Sequence, residues 1–313
     1  MKRTVTGACL AVLLGAAALL FAFFPRTESR SWIIPVMGTV CECNFELDRS
    51  DSEEALKAVN EAFAEVMELA NLYDRNSELS QLNSSAHIKP FVCSEQLYAL
   101  LCESRKAYRD SCGSFDISVK PLMDLWGFYR KQGKIPPESD IAATKLLCGL
   151  EKVTFDDAKR SVSFPHKGMA LDLGGIAKGF ALDLAVRKLA QRDISIRRGT
   201  INLGGNIYLL GRDQSYRIGI KDPSEPEKVK DVITLTSPGA VSSSGDYERF
   251  VVLEGRKFGH IIDPGTGSPA TRSYAATVFA SSGVKSDWMS TTLYLRGKDF
   301  KDSLDCQSWI VEK

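Results

Sequence analysis

The spacing of apolar residues along the chain predicts where its main helices and strands lie. Between Ser52 and Ala70 apolar side chains recur at the period of an amphipathic helix. The same spacing returns between Ser94 and Arg109, and the Ser94 hydroxyl is placed to cap that helix. A run of β-branched and apolar residues from Ile33 to Leu47 predicts one strand. A third helix is predicted from about Gly175 to Arg192.

The remaining pattern favours one mixed body over a chain of separate modules. Short apolar runs alternate with turns from Leu150 to Phe164, and the chain beyond Arg192 is mostly strands broken by glycine and proline. Pro136 and Pro137 lie in a polar stretch that predicts a surface loop. The chain shows no internal repeat and no low-complexity linker. We therefore expect an α+β fold, a single mixed α/β catalytic body of two tightly joined lobes, over residues 31–313.

The amino terminus has the layout of a segment that engages a membrane. Lys2 and Arg3 precede a nearly unbroken apolar run from Gly7 to Phe24, as in an export signal. The run is about as short as a membrane-spanning helix can be, and the residues after it lack the small side chains that a signal peptidase prefers. We predict that residues 1–30 form an uncleaved anchor in the bacterial inner membrane, with the catalytic domain on the periplasmic side. A cleaved signal is the alternative.

Composition narrows the class of partner. The 313 residues are 44% hydrophobic, and 40 lysines and arginines face 39 acidic residues, so the formal charge is +1. No basic run interleaved with aromatic residues is present, so we expect no nucleic-acid partner. The eight cysteines follow no repeating metal-ligand spacing. Cys41 and Cys43 would point to the same side of a strand, where core packing is favoured over metal binding.

The densest chemical signal is the stretch from Asp172 to Gly179, where an apolar strand end meets two glycines and then a helix. Such a junction exposes backbone N–H groups at the positive end of the helix dipole, which suits phosphate oxygens. Lys178 adds a mobile cation, and Asp172 can accept hydrogen bonds from a ribose or a base. The Gly-Lys-Ser/Thr ending of a Walker loop is missing, and a tight structural turn is the alternative interpretation.

A second signal lies near the carboxyl end, where Asp287 and Thr291 are four residues apart in a predicted helix. That spacing puts both side-chain oxygens on one helix face. Hard oxygen ligands of this kind suit Mg2+, which takes few protein ligands and fills its shell with phosphate and water oxygens. The alternative is that Asp287 only caps the start of the helix.

A third signal begins at His260, at the end of an apolar strand that leads into the turn formed by Pro264 and Gly265. Only three histidines occur in the chain, so a histidine at such an edge is a candidate general base. A solvated histidine, or one that hydrogen-bonds within the core, is the alternative.

Together these stretches resemble the ApbE-type FAD:protein FMN transferases from about Val36 to Gly297. Eight blocks follow one another in the order typical of that family, and such an ordered set is highly specific. The blocks are Met37–Thr39, Tyr73–Asn83, Gly113–Val119 running on to Leu125–Phe128, Asp172–Gly179, Asn202–Asn206, Ser243–Glu248, His260–Gly267, and Asp287 with Thr291.

The resemblance implies a set of site residues. The family holds its metal with the residues that match Asp287 and Thr291 and with a backbone carbonyl that matches Gly175. A flat ring such as that of Tyr73 can stack on a flavin. The residues implied to contact FAD are Met37, Tyr73, Ser114, Phe115, Asp116, Asp172, Lys178 and Ile261.

The activity that the resemblance implies is Mg2+-dependent transfer of FMN from FAD to another protein. A Thr or Ser hydroxyl of the acceptor would attack the FMN-side phosphorus and release AMP, with Mg2+ and Lys178 neutralising charge and His260 as the candidate base. The acceptor is expected to be an exported or membrane redox subunit. Two alternatives stay open: a Mg2+-dependent FAD pyrophosphatase that uses water, and a flavin-binding protein that does not cleave FAD.

Overall fold

The computed structural model describes residues 27–130, 134–211, 215–223, 225, 227–245, 250–301 and 306–312. The predicted anchor lies almost wholly outside these ranges, as do Asp246, Tyr247 and Glu248 of the sixth family-like block. Within these ranges no helix combines the length and the apolar character needed to cross a membrane.

The described helices and strands alternate in a mixed order. The helices are α1 (Ser52–Ala70), α2 (Glu78–Ser85), α3 (Glu95–Asp110), α4 (Lys120–Leu125), α5 (Glu138–Lys145), α6 (Ala177–Gln191), α7 (Gly283–Arg296) and α8 (Lys298–Lys301). Short 3-10 turns are Arg49–Asp51, Ile117–Val119 and Leu150–Lys152. The strands are β1 (Thr27–Val36), β2 (Thr39–Asp48), β3 (Phe91–Val92), β4 (Thr154–Asp156), β5 (Ser161–Ser163), β6 (Ile196–Leu203), β7 (Asn206–Leu210), β8 (Tyr216–Lys221), β9 (Val229–Leu235), β10 (Gly239–Gly245), β11 (Phe250–Leu253), β12 (Arg256–Gly259), β13 (Ile262–Asp263), β14 (Ser268–Pro269), β15 (Ser273–Ala280) and β16 (Gln307–Glu312).

The three predicted helices are confirmed, because each carries an apolar stripe that the core covers. α1 spans the predicted residues and buries one face. α3 begins one residue after Ser94, whose hydroxyl accepts a hydrogen bond from the Leu97 N–H at 3.2 Å, so Ser94 is the N-cap. α6 lies within the predicted range and starts two residues after Gly175.

The prediction of one strand from Ile33 to Leu47 is wrong, because the chain reverses direction between β1 and β2. The two strands pair antiparallel from Val36 with Thr39 out to Thr27 with Asp48. Met37 and Gly38 connect them with φ values of +52° and +70°. Positive φ at both central positions is typical of the type I′ two-residue hairpin turn. Glycine reaches this region easily but methionine rarely does, so the turn was not apparent in the sequence.

The largest sheet has seven strands in the order β1-β2-β6-β7-β10-β15-β16, and every neighbouring pair is antiparallel. Alternate residues of β2 are buried, beginning with Cys41 and Cys43, so the core lies on one face of the sheet. The two cysteines point the same way as predicted, with their Sγ atoms 3.8 Å apart. On this side α1 packs against α6, α6 against α7, and α7 against β10 and β15.

Two smaller apolar clusters complete the body. One joins α4, β11 and β13 through Leu122, Trp126, Val251 and Ile262. The other places the β8–β9 hairpin on β7 and β10. The predicted single mixed α/β body is therefore confirmed. The main core lies beneath α6 and α7, and the starts of these two helices hold the residues with the strongest chemical signals.

Candidate functional site

The amino-terminal turns of α6 and α7 touch through two glycines. A Cβ atom placed on Gly179 would lie 2.2 Å from the Gly283 carbonyl oxygen, and one placed on Gly283 would lie 2.3 Å from the Gly179 carbonyl oxygen. These separations are far shorter than a van der Waals contact, so only glycine permits this approach. The stretch around Lys178 and the start of α7 are therefore held together by backbone contact.

Each of these helices also supplies a carboxylate to the first turn of the other. Asp287 Oδ2 on α7 accepts a hydrogen bond from the Gly179 N–H at 2.9 Å. Asp183 on α6 accepts from the N–H groups of Gly283 at 2.7 Å and Val284 at 2.9 Å. We call Gly179, Asp183, Gly283 and Asp287 the reciprocal clamp. It satisfies N–H groups that have no partner within their own helix.

The alternative interpretation, in which Asp287 only caps the start of its own helix, is wrong. Ser282 holds the N-cap position of α7, and its hydroxyl accepts from the Lys285 N–H at 3.2 Å. Asp287 lies in the second turn, where its carboxylate reaches across to α6. Asp183 was not among the predicted site residues, although both helices show the same signal, a glycine followed four residues later by an aspartate.

Asp287 is a buried carboxylate, and its neighbours offset only part of the cost of burying its charge. Only 5% of its surface is exposed, and this burial raises its pKa. The charge of Lys178, the side-chain amide of Asn206 and the Gly179 N–H all act in the opposite direction. Burial has the largest effect on the pKa, so the ionised carboxylate is less stable here than in water. A cation beside Asp287 would offset that penalty.

Asn206 lies between the two charges. Its Oδ1 accepts a hydrogen bond from Lys178 Nζ at 3.2 Å, which orients the ammonium group. Its Nδ2 is fully buried and has no hydrogen-bond partner of ordinary geometry within the described ranges, although it is close enough to Asp287 to lower the pKa of that group. A buried amide with an unused donor fits an oxygen atom of a ligand.

Thr291 and Gly175 adjoin one helical turn beyond Asp287. Thr291 lies one turn after Asp287, and a Cβ placed on Gly175 would be 3.8 Å from Thr291 Oγ1 and 3.1 Å from the Phe115 ring. A side chain at position 175 would therefore fill the space beside the hydroxyl. The buried carboxylate, the hydroxyl and this backbone fit a hard cation with few protein ligands. The described ranges contain no group of three or more His, Cys, Asp or Glu side chains that could hold a metal.

The prediction that the Asp172–Gly179 junction offers free N–H groups to phosphate is wrong for four of its amides. The Gly174 N–H donates to Asp172 Oδ1 at 2.7 Å, and those of Ile176 and Ala177 both donate to the Leu173 carbonyl. The fourth amide belongs to Gly179 and is used by Asp287. These four amides are therefore not available to an anion, and Lys178 is the residue of this junction that carries a formal positive charge.

Tyr73 and Asp172 are joined through an aromatic residue that the sequence analysis did not single out. Tyr73 is 74% exposed, and its ring meets the Tyr129 ring edge to face at 6.3 Å between centroids. The Tyr129 hydroxyl donates to Asp172 Oδ2 at 2.5 Å, and Lys120 Nζ lies 4.9 Å from the Tyr129 ring centroid. Burial, followed by the Asp172 charge, raises the pKa of Tyr129, which therefore stays a hydrogen-bond donor. Its only sequence signal was its place directly after the block ending at Phe128.

The loop that carries Asp172 is fixed from two sides. The Asn83 side chain donates to the Leu171 carbonyl at 2.9 Å and accepts from the Leu171 N–H at 2.7 Å. The Asp172 N–H donates to the Ile117 carbonyl at 2.7 Å. A surface groove of about 440 Å³ adjoins this loop and is lined in part by Asn83 and Lys120. The loop that carries Asp172 is thus fixed beside open space.

The block from Ser114 to Asp116 lies against the same loop. Phe115 is buried, and its ring packs beside Gly175 and 6.4 Å from the Trp288 ring centroid. Asp116 is also buried, which raises its pKa, and its side chain accepts from the Ser118 N–H at 2.8 Å. Ser114 is half-buried in the preceding turn. In this structure Phe115 packs beneath the loop at Gly175, whereas Asp116 caps the short turn that begins at Ile117.

Three other predicted residues lie at turns between strands. Met37 occupies the β1–β2 turn and packs on the main core. That turn adjoins the β6–β7 turn, because the Gly204 N–H donates to the Val40 carbonyl at 3.1 Å, and β7 then begins at Asn206. His260 is half-buried between β12 and β13, and Ile261 after it packs on the main core.

Comparisons with known proteins agree with this fold. A model of the ApbE family matches residues 37–307. The chain is 28% identical to the FAD:protein FMN transferase of Haemophilus influenzae over 96% of this chain and 89% of that protein. It is also 28% identical to the Vibrio cholerae enzyme of the same name, over 85% of this chain and 80% of that protein.

Solved structures show the same likeness. The ApbE protein of Thermotoga maritima superposes with a TM-score of 0.83 at 28% identity, covering 91% of this chain and 94% of that chain. The flavin transferase ApbE from Vibrio cholerae gives 0.80 at 27% identity, covering 92% of this chain and 94% of that chain. The resemblance drawn from the sequence is confirmed, and the chain belongs to the ApbE family.

Proposed function

We propose that this protein is a Mg2+-dependent FAD:protein FMN transferase. Its relatives in Haemophilus influenzae and Vibrio cholerae carry the name FAD:protein FMN transferase. The observation that carries the proposal is the buried Asp287 carboxylate beside the Lys178 ammonium group, with Thr291 and Gly175 adjoining. A passive flavin carrier has no need for a desolvated carboxylate aligned with a hydroxyl ligand.

The residues of the chain have separate tasks in this proposal. Asp287, Thr291 and the Gly175 carbonyl would hold Mg2+, which supplies charge neutralisation at the pyrophosphate. Lys178, oriented by Asn206, contacts a phosphate oxygen and stabilises the charge that collects on the departing AMP. Tyr73 stacks on the flavin from its exposed face.

His260 is the proposed general base that takes the proton from the acceptor hydroxyl. Its half-buried position after β12 leaves part of the ring accessible. His260→Asn is expected to leave the Kd for FAD nearly unchanged and to abolish labelling of the acceptor. Equilibrium binding of FAD and gel fluorescence of the acceptor measure the two quantities separately. Unchanged turnover would remove His260 from the mechanism.

The partner and location are proposed from the same function. The acceptor is a protein that offers a Thr or Ser hydroxyl, and we propose an exported or membrane redox subunit. The apolar run from Gly7 to Phe24 is proposed to anchor the chain in the inner membrane with the catalytic body on the periplasmic side. Protease accessibility of the body in intact spheroplasts tests this orientation.

The activity is tested by incubating the protein with FAD, Mg2+ and a candidate acceptor, followed by denaturing gel fluorescence and mass spectrometry. A mass gain equal to FMN on the acceptor, lost with EDTA and in Asp287→Ala, is the expected result. Free FMN and AMP with several unlabelled candidate acceptors would instead indicate an FAD pyrophosphatase. Bound FAD that is never cleaved would indicate a flavin-binding protein.

A further inference from the structure

A row of hydroxyl groups connects β10 to α7 beneath the proposed metal site. Ser242 Oγ lies 2.8 Å from Ser286 Oγ, and Ser244 Oγ lies 2.8 Å from Ser290 Oγ. Ser244 Oγ is also 3.3 Å from Thr291 Oγ1. Ser243, between them on the strand, points to the opposite face and pairs with Thr277. Ser244 is therefore the β10 hydroxyl that reaches the proposed metal ligand.

One arrangement of these hydrogen bonds uses the proton of each hydroxyl once and gives the Asp287 carbonyl its nearer hydroxyl donor. A hydroxyl has one proton to donate, and a carbonyl can only accept. Ser290 donates its proton to the Asp287 carbonyl at 2.9 Å, so its oxygen accepts from Ser244. In this arrangement Ser244 has used its own proton, so its oxygen accepts from Thr291, which lies 3.3 Å away.

We propose that Ser244 is a positioning residue that orients the Thr291 hydroxyl for the cation. By accepting the Thr291 proton, it turns the lone pairs of Thr291 Oγ1 away from β10 and leaves them for a ligand on the Gly175 side. The Asp287 carbonyl is a second acceptor for this proton but is more distant, at 3.5 Å. The inference rests on the proposed function, because it takes Thr291 as a metal ligand.

Ser242 provides a matched control on the same strand and face. It is fully buried, and its 2.8 Å bond to Ser286 has the same length as the bond from Ser244 to Ser290. Ser286 in turn donates to the Gly283 carbonyl at 3.0 Å, so the pattern of donors is the same. Loss of either serine hydroxyl therefore removes an equivalent hydrogen bond, but only Ser244 contacts Thr291.

The test is direct binding of Mn2+ to the full chain in the presence of FAD, with free Mn2+ measured by electron paramagnetic resonance. Loss of a group that orients a metal ligand typically weakens metal affinity by about tenfold or more. Ser244→Ala is expected to raise the Kd for Mn2+ by about tenfold, whereas Ser242→Ala leaves it unchanged. Ser244→Thr, which keeps a hydroxyl, is expected to restore affinity.

A second variant tests the same chain of hydrogen bonds at Ser290. Ser290→Ala frees the Ser244 proton, which can then be donated to Thr291 and occupy a lone pair intended for the metal. We expect a higher Kd for Mn2+ in this variant also, so the inference stays testable if Ser244→Ala fails to fold. Thermal unfolding without metal checks that each variant is folded.

The outcomes separate this inference from the proposed function. Wild-type protein that binds no Mn2+ with FAD overturns both the metal site and the role of Ser244. Two results would overturn only the role of Ser244. One is an equal Kd for Mn2+ in wild-type protein and Ser244→Ala, and the other is an equal rise in that Kd in Ser244→Ala and Ser242→Ala. A selective loss in Ser244→Ala that Ser244→Thr reverses supports it.

Discussion

Asp287 combines two tasks that affect stability in opposite directions. Its hydrogen bond from the Gly179 N–H ties α7 to α6, while its buried negative charge disfavours the folded state. Because the folded-state pKa is raised, the folded protein holds a proton on this carboxyl more strongly than the unfolded chain does. The ionised group therefore destabilises the fold at pH values above the folded-state pKa. This penalty vanishes below the ordinary carboxyl pKa of about 4.

We therefore predict that Asp287→Asn raises the thermal midpoint of the metal-free protein at neutral pH. An amide oxygen can still accept from the Gly179 N–H, but it carries no buried charge. The difference from wild type should shrink as the pH falls and the wild-type carboxyl becomes protonated. Differential scanning calorimetry across a pH series measures this, with exposed Asp231→Asn as the control. A lower midpoint for Asp287→Asn at neutral pH would contradict the assigned direction of the pKa shift.

Tyr73 is expected to affect ligand binding far more than stability. Its ring is 74% exposed, so Tyr73→Ala should change the free energy of unfolding by no more than about 0.5 kcal/mol. Loss of a stacking ring should raise the Kd for FAD by about tenfold, and Tyr73→Phe should restore most of the affinity. Quenching of flavin fluorescence measures the Kd. Tyr274→Ala, at another exposed tyrosine, is the control, and equal weakening there would argue against stacking.

For single residues, the sequence reveals a site role when the partners are near in the chain and misses it when they are distant. The spacing of Asp287 and Thr291 is a property of one helix, so it could be read directly. Tyr129, Asp183 and Asn206 act through residues far along the chain, and a local pattern around them does not say which distant residue each one contacts. Correct placement of these three requires the packing of α6 against α7 and the order of the sheet.

The close packing of α6 against α7 depends on glycine where the two helices meet. A Cβ on Gly283 would overlap the Gly179 carbonyl oxygen at 2.3 Å, so we expect Gly283→Ala to force α6 and α7 apart. Such overpacking typically destabilises a protein by about 1 to 3 kcal/mol, which exceeds the roughly 1 kcal/mol gain in helix propensity. Urea unfolding measures the change, with Lys285→Ala in the same turn as the control. Unchanged stability in Gly283→Ala would show that the two helices can separate freely.

Strand predictions failed where a turn lacked its usual residues. The Met37–Gly38 turn needs two positive φ values, but only the second position carries glycine, so β1 and β2 were merged. The helices were predicted well because their apolar period extends over at least four turns. Sheet order depends on pairings between distant strands, such as β2 with β6, and no local pattern specifies them.

The first strand of the fold begins earlier than the predicted domain boundary. Thr27 to Arg30 pair with Asp48 to Phe45 in an unbroken register, so these residues belong to the seven-stranded sheet. A chain that begins at Thr27 should therefore unfold at a higher temperature than one that begins at Ser31. The shorter chain loses four pairings at the edge of the sheet. Parallel thermal melts test this, and equal midpoints would mean that the outer end of β1 adds no stability.

The reciprocal clamp also bears on how quickly the proposed cation enters and leaves. Because the Asp287 carboxylate is already fixed by the Gly179 N–H, the ligand face of α7 needs no rearrangement before a metal arrives. Entry should then appear in stopped-flow traces as a single exponential whose rate rises in proportion to metal concentration, without a slow concentration-independent phase. Weakening the clamp through Asp183→Ala should add such a phase, since α7 would have to reorient before closing on the ion.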